Sequence, residues 1–293
     1  MSEPVLRRAH PALRAPFNIW DLVALAIIVG VFITLTHGAH ETFAPLKSLA
    51  KSPISLDPRR LPEYALRTSL RMIGGMVASL IFTFGYAALA AKSRHAEMVL
   101  IPLLDILQSV PVLAFLTVTL VWFMALAPSS VLGAEFASVF LVFTAQAWNM
   151  TFSFYQSLKT IPADLDEAAR AFGLTPWQKF WRLEAPYGAP ALIWNMMMSM
   201  AGGWFFVTAS EAFMVGATNV TLPGIGSYIA AANDKGDHAA VIWAVVAMAA
   251  TILTFDQLFF RPLVAWPRSS TSSRPPPPIR RAPGCWTCCA ARG

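Results

Sequence analysis

The sequence predicts an all-α polytopic membrane protein. Three observations lead there: a composition with little charge, a series of apolar runs long enough to cross a bilayer, and one polar insert whose helix ends are spelled out by its residues. Of the 293 residues, 56% are hydrophobic and 13% charged, with a mean hydropathy of +0.54; soluble domains carry about 25% charged residues. The net charge of +6 would suit nucleic acid. However, the basic residues fall between apolar runs and at the termini rather than along one helix face, so no nucleic-acid partner is expected. Cys285, Cys288 and Cys289 crowd the C-terminal tail without a second pair or nearby histidines. They imply no disulfide framework and only a weak zinc signal, and the five histidines show no paired metal-ligand spacing within any span.

A bilayer core about 30 Å thick needs roughly 17 to 25 apolar helical residues. Six runs qualify: 19–36, 67–91, 99–127, 135–158, 186–216 and 239–260. The first follows a tail, 1–18, that carries Arg7, Arg8 and Arg14. No small-x-small cleavage site follows Leu35, so the run reads as an uncleaved span. Pro102, Pro111, Pro186 and Pro190 read as kinks or span starts.

Lysine and arginine counts orient the set. The N-terminal tail, the loop with Lys92 and Arg94, the insert with Lys159, Arg170, Lys179 and Arg182, and the end of the last run with Arg261 and Arg268 are all basic. Both chain ends and the insert are therefore expected in the cytoplasm. One connection dissents, because Lys47, Lys51, Arg59, Arg60 and Arg67 precede or open the second run on the other side. Its prolines and length suggest an elbow lying on the membrane surface.

The insert, 159–186, separates two apolar runs. Asp164 with Glu167 three residues later reads as an aspartate capping box, and Gly173 stands where a left-handed residue would end that helix. Thr175, Pro176 and Gln178 spell a second helix start, and Pro186 is expected to close the segment. Ala168, Ala169 and Ala171 leave one face with little bulk, while Trp177, Phe180, Trp181 and Leu183 show more apolar surface than a free loop should. Physics alone leaves three readings open: a connector, a helix pair resting on lipid, and a docking element for a partner.

Polar residues inside the runs mark pathway or gating candidates: Asp105, Gln108, Gln146, Asn149, Asn195 and Glu211. Charge in a bilayer is costly, so such groups face protein or a water-filled cavity. The amides suit helix packing first. Asp105 and Glu211, as carboxylates, read as gating or packing groups before direct solute contacts. Ser199, Ala201, Gly202 and Gly203 form a small-residue patch suited to tight helix contact with a second copy.

The segment EAARAFGLTPWQKFWRLEAP resembles the EAA loop of ABC importer permease subunits, supplying Glu167, Ala168, Ala169, Gly173, Leu183 and Pro186. Ala185 stands where that family usually has Leu before the closing proline. IPLLDILQSVPVLAFL and ASEAFMVGATNVTLPGIGSYI extend the likeness toward the nitrate, sulfonate and taurine branch, although Ser210 separates Ala209 from Glu211. The closest impression is one half of the fused, duplicated anion-transport permeases. No internal repeat is visible, which fits a single-unit relative or a truncated form.

The resemblance implies a type I importer permease domain over 19–266. It also implies a separate cytoplasmic ABC ATPase that binds ATP and magnesium and moves the insert, a second permease copy or sister half, an extracytoplasmic solute-binding protein, and a bacterial inner-membrane location. This chain has no GxxxxGK[ST] and is expected to bind no cofactor and catalyse nothing itself. The coupling residues implied are Asp164, Glu167, Ala168, Ala169, Gly173, Thr175, Pro176 and Pro186. The tail 267–293, rich in Pro, Ser and Arg, resembles nothing in the family and reads as disordered or as the product of a shifted frame. A secondary transporter is the rival, but it would need mid-membrane ion sites and usually an inverted repeat.

Overall fold

The computed structural model describes residues 54–126, 131–212, 214–215, 218–219 and 221–264. The run 19–36, both tails and the three cysteines lie outside the described residues. A 3-10 turn, Pro58–Arg60, leads into helix α1, Leu61–Lys92. Asp57 starts the turn by accepting the Arg59 N–H at 3.0 Å. Next come α2 (Arg94–Ser109), α3 (Val112–Leu126) and α4 (Leu132–Lys159). The insert contributes α5 (Ala163–Ala171) and α6 (Pro176–Lys179), followed by a π turn, Phe180–Glu184, that feeds α7 (Ala185–Glu211). A two-stranded antiparallel hairpin, β1 (Met214–Val215) with β2 (Thr218–Asn219), then α8 (Ile225–Asp234) and α9 (His238–Phe255) complete the order.

Among the described residues, three helical runs are long and apolar enough to cross a membrane: Pro58–Lys92, Pro176–Glu211 and His238–Val264. The expected total of six is thus not what the described residues display. The run 99–127 is broken into α2 and α3. Val110 is extended at φ −74° and ψ 127°, because the residue before a proline is pushed out of the helical region and Pro111 has no N–H to continue the ladder. Pro102 and Pro190 sit inside α2 and α7.

Helices α1, α4 and α7 form the centre, packed through Met72, Met76, Val142, Met150, Phe154, Met200 and Val207. Gly203 of α7 makes the approach close: a Cβ there would lie 2.5 Å from Met72 Cε and 2.6 Å from Gln146 Nε2. Gly202, beside it, meets nothing within 4 Å. The small-residue patch therefore splits. Ser199 and Gly203 are buried in the chain's own core, while Ala201 and Gly202 remain exposed.

Candidate functional site: a helical insert and a buried charge cluster

At the insert end, α5 begins two residues earlier than the sequence suggests. Its N-cap is Pro162, with no side-chain cap, so the capping box expected of Asp164 and Glu167 does not form. Asp164 and Asp166 instead occupy the first turn, where a carboxylate complements the helix dipole. Gly173 ends the helix at φ 64°, as expected. Its N–H bonds to the Arg170 carbonyl at 2.9 Å and the Leu174 N–H to Ala169 at 3.1 Å, a Schellman closure. The Thr175 box is present: Gln178 N–H donates to Thr175 Oγ1 at 3.3 Å and Thr175 N–H to Gln178 Oε1 at 3.1 Å.

Pro186 does not close the insert. The second insert helix runs on into α7 as one helical stretch, Pro176–Glu211. The π turn explains this: the Ala185 N–H reaches back five residues to the Phe180 carbonyl. That wider turn accommodates a proline at position two of α7, which lacks the N–H a regular ladder would demand.

Ion pairs fix the knuckle. Lys179 pairs with Asp166, and Arg170 Nη2 lies 2.6 Å from the other Asp166 oxygen. Lys179, and with it Arg170, hold the Asp166 carboxyl below its ordinary range. Lys92 Nζ, at the end of α1, approaches Glu184 Oε2 at 2.9 Å as an ion pair rather than an aligned hydrogen bond. Nearby, Glu97 is held below its ordinary range by hydrogen bonds from Lys159 and Tyr155. Outward, the insert shows Leu165, Phe172, Trp177 and Trp181, with Phe172 82% exposed. Glu167 is exposed and makes no hydrogen bond or ion pair among the described residues. Ala169, expected on the open face, is buried in the chain itself, whereas Ala168 is half-buried and Ala171 exposed.

At the opposite end lies a cluster centred on Arg71, which the sequence reading passed over. Its guanidinium forks onto Glu135 of α4, with Nε and Nη2 each 2.6 Å from a carboxylate oxygen. Its Nη1 reaches Glu211 Oε1 of α7 at 2.7 Å and the Pro223 carbonyl at 3.0 Å. Glu211, 0% exposed, also accepts from Thr68 Oγ1 at 2.7 Å and from the Gly226 N–H at 2.8 Å. Thr68 in turn accepts from the Ile225 N–H at 3.1 Å, so side chains of α1 and α7 satisfy the first amides of α8. Gly224 and Gly226 are needed for this approach: a Cβ on Gly224 would overlap the Glu211 carboxyl, and one on Gly226 the Thr208 carbonyl. One signal could have found Arg71. An arginine inside an apolar run must be paired, and Glu135 and Glu211 lie within two of the other runs.

The six pathway candidates do not converge on one site. Asp105 and Gln108 are exposed on α2 and bond to each other at 3.0 Å. Asn149 is exposed on α4. Asn195 donates to Ser153 Oγ at 2.8 Å, as helix packing predicts. Gln146 is buried with its amide oxygen unpartnered among the described residues. Glu211 belongs to the Arg71 cluster. An apolar groove of about 680 Å³ between α1 and α9 is lined by none of the six.

The family model described as the binding-protein-dependent transport system inner membrane component matches residues 71–261, and the chain belongs to this family. It is therefore a non-catalytic, membrane-embedded component of an ABC transport system. Among its relatives is the nitrate import permease protein NrtB of Leptolyngbya laminosa, 22% identical over 76% of this chain and 78% of that one. The riboflavin transport system permease protein RibX of Chloroflexus aurantiacus is 26% identical over 71% and 73%. A chain of the inward-facing MetNI methionine ABC transporter shares the fold, with a TM-score of 0.51 at 17% identity over 67% of this chain and 91% of that one.

Proposed function

We propose that this chain is the translocating permease subunit of an ABC importer for a small anion such as nitrate, sulfonate or taurine, driven by a separate ATPase that grips the insert from the cytoplasm. The observation that carries the reading is the insert itself. Two short helices, one closed at Gly173 and the other capped at Thr175, are braced by Asp166, Lys179, Glu184 and Lys92, yet they present Phe172, Trp177 and a free Glu167 outward. A braced element of this kind transmits displacement, because few of its end groups must find new partners when it is pushed. Its second helix is continuous with α7, so force applied at Trp177 reaches the membrane helix directly. The nitrate permease relative supports an anion, and specificity would come largely from an external binding protein.

The decisive experiment is Glu167→Lys in the full chain. Co-purification with the ATPase subunit should fall and ATP hydrolysis should separate from uptake; unchanged assembly and transport would remove the coupling role. In the same membranes, a cysteine replacing Phe172 should react with an impermeant maleimide from the cytoplasmic side only. Labelling from outside would invert the orientation.

A further inference from the structure

We propose that Arg71 is a positioning residue that staples α1, α4, α7 and the start of α8 into one block. During transport this end of the chain then moves as a unit, and the solute path does not open between α4 and α7. The inference rests on the transporter reading for its motion, but the staple itself stands on geometry.

Arg71 spends Nε and Nη2 on α4 and Nη1 on both α7 and the loop into α8. A planar fork grips Glu135 with two parallel N–H groups and still has Nη1 for Glu211 and Pro223; a lysine ammonium, a single compact charge, cannot reproduce that two-bond contact together with the others. Glu211 repeats the design from the other side, collecting α1 through Thr68 and Arg71, and α8 through Gly226. One turn from Glu135 and next to Glu211, Ser138 of α4 and Ser210 of α7 meet hydroxyl to hydroxyl at 2.5 Å. Arg71 and Glu211 are almost wholly buried, and their charged groups aim at each other rather than into a cavity. Parting α4 from α7 would leave the buried Arg71 with one carboxylate instead of two, the half-buried Glu135 alone having water at hand, and losing one partner of a buried pair shifts a population by on the order of a hundredfold. A gate that must open each cycle would be built from weaker, wetter contacts.

The serine pair supplies the probe. Two hydroxyl oxygens 2.5 Å apart mark side chains close enough for a disulfide once both are cysteine. With Cys285, Cys288 and Cys289 changed to serine, the Ser138→Cys/Ser210→Cys chain is oxidised in membranes that hold the assembled transporter, once without nucleotide and once with ATP and vanadate. A single block predicts equal cross-linking rates in the two states, and Arg71→Gln in the same background should slow the reaction by about tenfold or more. Arg71→Lys should restore only part of the rate. A change of about fivefold or more between nucleotide states would overturn the proposal, as would an Arg71→Gln chain that cross-links like its parent. The nucleotide comparison keeps arginine in place, so it decides even where Arg71→Gln fails to insert. Were the transporter reading itself at fault, nucleotide would also leave a Phe172→Cys label unchanged, and the arginine arm alone would settle the staple.

Discussion

Asp166 and Glu211 are both carboxylates held by cations, yet they sit at opposite ends of the bundle in opposite circumstances. Asp166 meets Lys179 and Arg170 at an exposed edge, where water shares the load and each partner is replaceable. Glu211 meets Arg71, Thr68 and a helix amide with no exposure at all. The first arrangement tolerates change and suits an element that must engage and release a partner. The second suits parts that never separate, since each member is costly to orphan.

Substitution should separate the two ends sharply. Glu211→Ala leaves Arg71 with one carboxylate and the Gly226 amide bare, and should cost about 3–5 kcal/mol, read as lost thermal stability in detergent. Asp166→Ala should leave the melting curve nearly where it was. A comparable loss in both would erase the contrast.

The next effect is steric. Gly203→Ala places a methyl against Met72 and Gln146 and should cost about 1–3 kcal/mol, whereas Gly202→Ala, in the same helix with open space around it, should stabilise the monomer by about 0.5–1 kcal/mol. If Gly202→Ala instead weakens assembly, the exposed half of the patch is a contact between copies.

At the insert, Thr175→Ala removes a formed capping box and should weaken the second helix by about 1 kcal/mol. Asp164→Ala should not show a capping loss, because Pro162 holds that position. Local hydrogen exchange across 163–184 distinguishes the two.

The smallest effect is that of pH. The Asp166 carboxyl is held below its ordinary value by Lys179 and Arg170. Its pairing therefore contributes fully above the unfolded carboxylate pKa, near 3.8, and is lost only as pH falls through the still lower folded value. Insert accessibility to proteases should stay flat from about pH 8 to about pH 5 on this account.

Much of the molecule was legible in its residues. The apolar runs gave the long helices, and Gly173 and Thr175 with Gln178 announced the bend and the second start, because those signals are local. What escaped was non-local. The break at Pro111 falls where a kink or span start was expected, but the continuity through Pro186 needed a π turn that no simple periodicity encodes. The burial of Ala169 depends on what packs beneath it. Arg71 stayed hidden because its partners lie 64 and 140 residues away; an isolated arginine in an apolar run signals a partner without naming it.

The central claim is that an ATP-hydrolysing subunit drives this chain through the insert. A photo-crosslinking residue at Phe172, 82% exposed, tests it most directly in native membranes. The account predicts an adduct with an ATP-binding subunit whose yield changes when ATP and vanadate are added. An insert that captures no nucleotide-binding protein, in membranes whose solute uptake continues after ATP is depleted, would contradict it.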